Sequence, residues 1–200
     1  MERTEALQLF LDATFVAFDR FANDLRSRDS ILRIFALLEV AGTRGTKSGK
    51  RLPVCVRHLD EALALKTEHA ILLSVIARFQ AIEPWLDWNW RSTYDNSASE
   101  NFLMGHANAM IVGPGGVEDR QDLWLGVSLL APHVRYPNHS HAPEETYLVL
   151  SEGAFMQEET WFSPGIGGSF YNPPAIKHAM RSGDKPLFAL WALHPDQQRH

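Results

Sequence analysis

Two hundred residues, 45% of them hydrophobic, can bury one sizeable core, so the length predicts one domain with at most an extension. A net charge of −5 excludes the basic stripe of a nucleic-acid binder. The one cysteine, Cys55, excludes an internal disulfide and fits a reducing cytoplasm, and no stretch forms a basic-then-apolar leader or reaches the ~18 apolar residues of a membrane span.

The chain opens with helical spacing. Leu7, Phe10, Leu11, Thr14, Phe18, Phe21 and Leu25 recur on one side of a helix over 6–25. Asp29 and Ser30 are N-cap residues for a second helix over 31–40. Residues 41–51 are Gly-rich and basic and read as a loop, either a plain exposed connection or a lid over a site. They fail as a phosphate loop, because Gly49-Lys50 is followed by Arg51 and Arg44 stands where the first glycine belongs. Cys55 reads as a small buried hydrophobe. Asp60 is the expected cap of a third helix whose buried side is Leu63, Ile71, Leu72, Val75, Ile76 and Phe79, ended by Pro84. Trp85, Trp88, Trp90 and Tyr94 follow and predict an aromatic clamp holding the helices to the remaining body.

From Phe102 the period changes. Runs at 106–112, 123–130, 146–150, 154–162, 169–171, 179–181 and 187–193 read as strands, parted by turns at 113–116, 151–153, 163–165 and 182–184. The fold class is mainly β: a C-terminal barrel or sandwich over 101–200, with an N-terminal α-helical extension over 1–100.

Within the β part lies His139-Ser-His141-Ala-Pro-Glu-Glu145-Thr-Tyr147. If the stretch is extended, His139, His141, Glu145 and Tyr147 share one face. Imidazole nitrogens and a carboxylate oxygen suit one divalent transition metal, Zn, Fe, Mn or Co. A Gly-rich approach from Gly167, a Pro173-Pro174 turn and His178 supply one more nitrogen. These two segments resemble the two motifs of the cupin superfamily, G-x5-H-x-H-x3,4-E-x6-G and G-x5-P-x-G-x2-H-x3-N. The histidines and Glu145 fit the first motif, with one extra residue before Gly153 and Val134 in place of the initial glycine. Gly167, Pro173 and His178 fit the second, with Ala175 replacing its second glycine and Ser182 its asparagine. The resemblance implies a cupin, or double-stranded β-helix, barrel.

Three histidines and one glutamate leave open positions on a metal for a substrate carboxylate. Tyr147 shares their face, and a nearby cation would lower its phenol toward use as a base; Tyr136 stands just before the histidines. With its helical N-terminal part and H-x-H-x3-E-x-Y run, the chain resembles the cupin-type dimethylsulfoniopropionate (DMSP) lyases of marine bacteria, the DddQ group in particular. That resemblance implies a carbon–sulfur lyase that converts DMSP to dimethyl sulfide and acrylate. Carried over, it makes Tyr147 the base, with Tyr136 assisting. It gives His141, Glu145 and His178 as metal ligands, and His139 as a fourth ligand or a group just behind them. Aromatic faces attract a sulfonium, which makes Trp191, Trp124 and Tyr171 candidate substrate contacts, with Trp161 a further aromatic in reach of the same role. The expected partner is small-molecule DMSP, with no nucleic acid and no membrane; a homodimer stays open. The alternatives are a cupin dioxygenase or isomerase on another small carboxylate, thiol, diketone or sugar, and a non-enzymatic small-molecule-binding cupin.

Overall fold

The computed structural model describes residues 3–194 apart from 47 and 65. Helix α1 (Glu5–Phe21) is capped by the Thr4 hydroxyl and buries Leu7, Phe10, Leu11, Thr14 and Phe18, the stripe expected of it. It stops four residues before the predicted end. Asp24, not Asp29 or Ser30, caps α2 (Leu25–Leu38) by accepting from Ser27 N at 3.0 Å. Asp29 and Ser30 lie inside that helix, and Ser30 is buried.

The predicted loop contains a short strand, β1 (Thr43–Arg44); Lys47 lies outside the described residues. The predicted third helix is two helices. Pro53, at the first position, starts α3 (Pro53–Leu63), and α4 runs Ala70–Ile82. Asp60 is interior to α3, and Cys55 is buried on that helix. A 3₁₀ turn (Glu83–Trp85) leads to β2 (Trp88–Asn89). Trp88 is fully buried, with its indole N–H on Glu83, whereas Trp85 and Trp90 are exposed; the aromatic clamp reduces to Trp88.

After the single turn α5 (Phe102–Gly105) come β3 (His106–Val112), β4 (Glu118–Asp119), β5 (Trp124–Leu130), β6 (Glu144–Val149), β7 (Ala154–Gln157), β8 (Thr160–Phe162), β9 (Ser169–Asn172), β10 (His178–Arg181) and β11 (Leu187–His194). The strand predicted over 154–162 is thus a hairpin, turning at Glu158 with φ 53. Eight strands form one sheet in the order β1-β4-β3-β5-β11-β6-β9, with β2 on β3. The other sheet is β10-β7-β8, and residues 135–139 pair alongside β10 through bridges Arg135–Arg181 and His139–His178.

Facing residues of antiparallel neighbours share a face, so the registers sort the large sheet. Met110, Gly126, Trp191, Tyr147 and Phe170 form one rung, and Trp124, Leu193, Glu145 and Asn172 another, both inside the barrel. Trp191 lies flat over Gly126, where an added Cβ would meet the indole at 2.3 Å. The outer face is apolar and covered by helices: α2 packs on β11, β6 and β9, and α3 on β5, β11 and β3. Among the described residues no helix is long and apolar enough to cross a membrane.

Candidate metal centre

Two extended segments meet at the site. His139 and His178 exchange backbone hydrogen bonds of 3.0 and 2.9 Å, which sets their imidazoles side by side with ring centroids 4.0 Å apart. His141 is held by a different device. Its carbonyl accepts from the N–H of Ala175 at 2.9 Å, and Ala175 adopts φ 62, the left-handed conformation that glycine takes freely. The alanine in the glycine position of the second motif therefore keeps the turn, at a local strain of about 1 kcal/mol. Ser182, in the asparagine position, also works structurally: its hydroxyl donates to Ala131 O and accepts from Val134 N.

All three imidazoles are oriented in the same way. Each Nδ1 faces a backbone carbonyl two residues away: His139 to Pro137 at 3.0 Å, His141 to Pro143 at 2.8 Å, His178 to Ile176 at 2.9 Å. A carbonyl only accepts, so the proton sits on Nδ1 and the Nε2 lone pair is left for another partner. The ligand atoms of the three rings lie within 4.8 Å of one another. Glu145, at the start of β6, puts Oε2 3.2 Å from His178 Nε2 and 3.6 Å from His141 Nε2. Asn172 of β9 donates to the same oxygen at 3.0 Å. His178 Nε2 is buried and makes no hydrogen bond. An orphaned buried nitrogen among three convergent lone pairs and a carboxylate fits a divalent transition metal.

Charge in the pocket follows from burial and from Glu145. Burial opposes ionisation of Glu145, but its close contacts with His141 and His178 reverse this and hold the carboxyl well below the usual range. Burial also works against the His141 cation, and the Glu145 contact outweighs it, raising that ring above its ordinary value. His139 is lowered to about 3, by burial first and by His178 next, which leaves its ring neutral at pH 7.

Tyr147 is 4% exposed and two residues from Glu145 on the same face. Burial, then the Glu145 charge, push its phenol well above its ordinary 10. Tyr136 is equally buried and touches the His139 ring at 5.2 Å. Burial raises its phenol too, while the Arg91 cation and a 3.0 Å hydrogen bond from Asn108 pull the other way. Trp191 stands opposite Tyr147 on the next strand. Trp124 shares the Glu145 face two strands away, with its indole N–H buried and unpartnered. Tyr171 does not join the cluster. It points outward, donates to Glu144 at 2.8 Å and lies under Arg26 of α2. Trp161 is likewise elsewhere, stacked by Arg181 and Arg135. The polar residues Asn172, Asn108, Ser128 and Arg91 carry no sequence signal as site residues; strand registers bring in the first three, and Arg91 comes from the segment after β2, with its guanidinium 5.7 Å from the Tyr136 ring centroid.

A family model described as dimethylsulfoniopropionate lyase matches residues 26–189. The DMSP lyase DddQ of Ruegeria pomeroyi is 32% identical over 106 residues, 50% of this chain and 52% of that protein. A putative DMSP lyase, DddL, of Cereibacter sphaeroides is 30% identical over 96 residues, 47% of this chain and 40% of that protein. The chain thus spans about half the length of the curated relatives it matches. The crystal structure of DddQ from Ruegeria pomeroyi superposes with a TM-score of 0.74 at 24% identity, covering 98% of this chain and 95% of that one, which shows the shared fold.

Proposed function

The chain belongs to the dimethylsulfoniopropionate lyase family, and from that premise we propose that it is a metal-dependent carbon–sulfur lyase cleaving DMSP by β-elimination to dimethyl sulfide and acrylate. The observation that carries the reading is the convergence of three Nδ1-anchored imidazoles on Glu145, with the Tyr147 phenol on the same face. His141, Glu145, His178 and His139 would hold one divalent ion, Zn, Fe, Mn or Co. When bound, that ion supplies an anchor for the substrate carboxylate and a positive charge that offsets both Glu145 and the enolate-like charge of the reaction.

The chain's own residues do the rest. Tyr147 acts as the phenolate, the form that a bound cation would favour against burial and the Glu145 charge, and takes a proton from the carbon next to the carboxylate. The C–H electron pair becomes the second bond of the alkene, the C–S bond breaks, and its pair leaves on sulfur as neutral dimethyl sulfide. A sulfonium needs no general acid to depart. Trp191, across the rung from Tyr147, offers its indole to the sulfonium, and Trp124 extends that wall. Tyr136 assists from beside His139. Burial of Tyr136, Tyr147, Glu145 and His178 keeps water from the reacting carbon. The half-buried edge at His139 and His141 is the side from which substrate enters. A cytoplasmic setting is part of the reading, since a single cysteine without an internal disulfide fits a reducing compartment.

Metal-loaded protein incubated with DMSP is expected to release dimethyl sulfide, measured by headspace gas chromatography. Tyr147→Phe should lower kcat by about 10²–10⁴-fold, the usual worth of a positioned base. No sulfide with any of Fe, Mn, Co or Zn discards the reading.

A further inference from the structure

Behind Tyr136 runs a chain of hydrogen bonds that the elimination as described does not use. Trp191 Nε1 lies 3.0 Å from Ser128 Oγ, Ser128 Oγ lies 2.7 Å from Asn108 Oδ1, and Asn108 Nδ2 lies 3.0 Å from Tyr136 Oη. Four residues from β11, β5, β3 and the segment before the histidines are joined across the barrel interior.

The direction of this chain is set at its far end. An indole N–H can only donate, so the Ser128 oxygen accepts. Its own proton then goes to Asn108 Oδ1, which turns the amide NH₂ toward Tyr136. The flipped amide would leave the hydroxyl proton of Ser128, a residue 3% exposed, without its partner, which burial penalises. Tyr136 Oη is therefore an acceptor on the Asn108 side. Arg91 also faces the phenol as a cationic donor, so the phenol's own proton is left for the metal side, from which the Glu145 charge acts on it.

We propose that Asn108, oriented from Trp191 through Ser128, is a positioning residue that keeps the Tyr136 phenol a hydrogen-bond donor facing the metal centre. Resting on the lyase reading, the acceptor for that proton is the substrate carboxylate, whose negative charge grows as the neighbouring carbon loses its proton. A donor fixed before the charge develops lowers the barrier without reorganisation.

Asn108→Asp tests the idea. The variant keeps the size and the Ser128 contact but replaces the amide donor by a second acceptor, which draws the Tyr136 proton away from the site. In metal-loaded protein at pH 8, kcat should fall on the order of tenfold or more with KM changed much less, because the interaction belongs to the transition state. Metal content, measured by mass spectrometry of the purified variant, should equal that of the wild type. As pH falls and the introduced carboxyl takes up a proton, it can donate again, so the ratio of variant to wild-type kcat should rise. A ratio flat with pH, or a variant with the wild-type rate, overturns the proposal.

A second readout is independent of substrate. The chain has four tyrosines, so ¹³Cζ-labelled tyrosine gives a spectrum that can be assigned with Tyr136→Phe. The Tyr136 resonance should move in Asn108→Asp and return toward its wild-type position on acidification. If it does not move, the relay is wrong whatever the substrate. If it moves while the wild type releases no dimethyl sulfide, the relay stands and the lyase reading falls.

Discussion

The proposed metal centre depends on groups that would never touch the ion. Three backbone carbonyls choose the tautomer of His139, His141 and His178, and Asn172 fixes one oxygen of Glu145. Such outer partners are typically worth ten- to hundredfold in affinity. Asn172→Ala should weaken zinc binding by that factor, measured by competition with a chromophoric chelator, with the far-ultraviolet dichroism unchanged. Unaltered affinity would show that Glu145 is held by the histidines alone. His139, His141, Glu145 and Tyr147 are legible in the sequence as one short segment, but alternation along a single strand does not place them: bends at 142 and 143 part the two histidines, beside β10, from Glu145 and Tyr147 on β6. Asn172 is not legible, since its place depends on the register of β9 against β6. The same register explains Tyr171: Asn172 faces Glu145, so Tyr171, one residue earlier, must point outward to Glu144 and α2.

Among the elements, α4 fixes how the helices sit on the sheet. Phe79 is fully buried, with ring centroids 6.1 Å from Phe10 of α1, 6.4 Å from Trp88 of β2 and 5.1 Å from Phe188 of β11. Phe79→Ala would open a cavity where three elements meet and should cost about 3–5 kcal/mol, read from urea unfolding at constant slope. A cost below about 1 kcal/mol would mean that the helices slide to fill the space. Phe79 is on the buried stripe expected from the apolar period, yet the period alone misplaces the helix ends. Lys66-Thr67-Glu68-His69 is the polar stretch that parts α3 from α4, yet the step from Leu63 to Ile71 is one that a single helix could also hold, and Asp60 looks like a cap while lying inside α3. Asp24 and Asp29 are equivalent as letters. Only the packing that buries Ser27 and Ser30 chooses Asp24 as the cap. The strands β3, β5, β6, β9, β10 and β11 are legible to within two residues because turn residues lie between them. The run 154–162 hides the turn between β7 and β8, and the short β1, β2 and β4 are not legible, since two-residue strands owe their existence to their partners.

At the scale of the whole molecule, the division into a helical part over 1–100 and a barrel over 101–200 describes composition better than it describes cooperative units. The N-terminal part contributes β1 and β2 to the large sheet. Arg3 forms a two-pronged ion pair with Glu118 of β4, which is 3% exposed, and Arg33 of α2 binds Glu144 beside Glu145, the proposed carboxylate ligand. The outer face of the sheet exposes Leu148, Phe188 and Leu190 wherever the helices are absent, and all three are fully buried in the intact chain. A sheet with one apolar face uncovered lacks the burial that offsets its ordering entropy. The whole chain should therefore unfold in one transition, with the helical dichroism at 222 nm and the tryptophan fluorescence changing at the same urea concentration. A chain of residues 101–200 alone should be unfolded or aggregated and should bind zinc far more weakly than the full chain. Two separated transitions, or a soluble 101–200 fragment with full zinc affinity, would show that the metal centre needs only its own barrel. Coincident transitions would make the helices part of the machinery that holds Glu145 and His178 within 3.2 Å of each other.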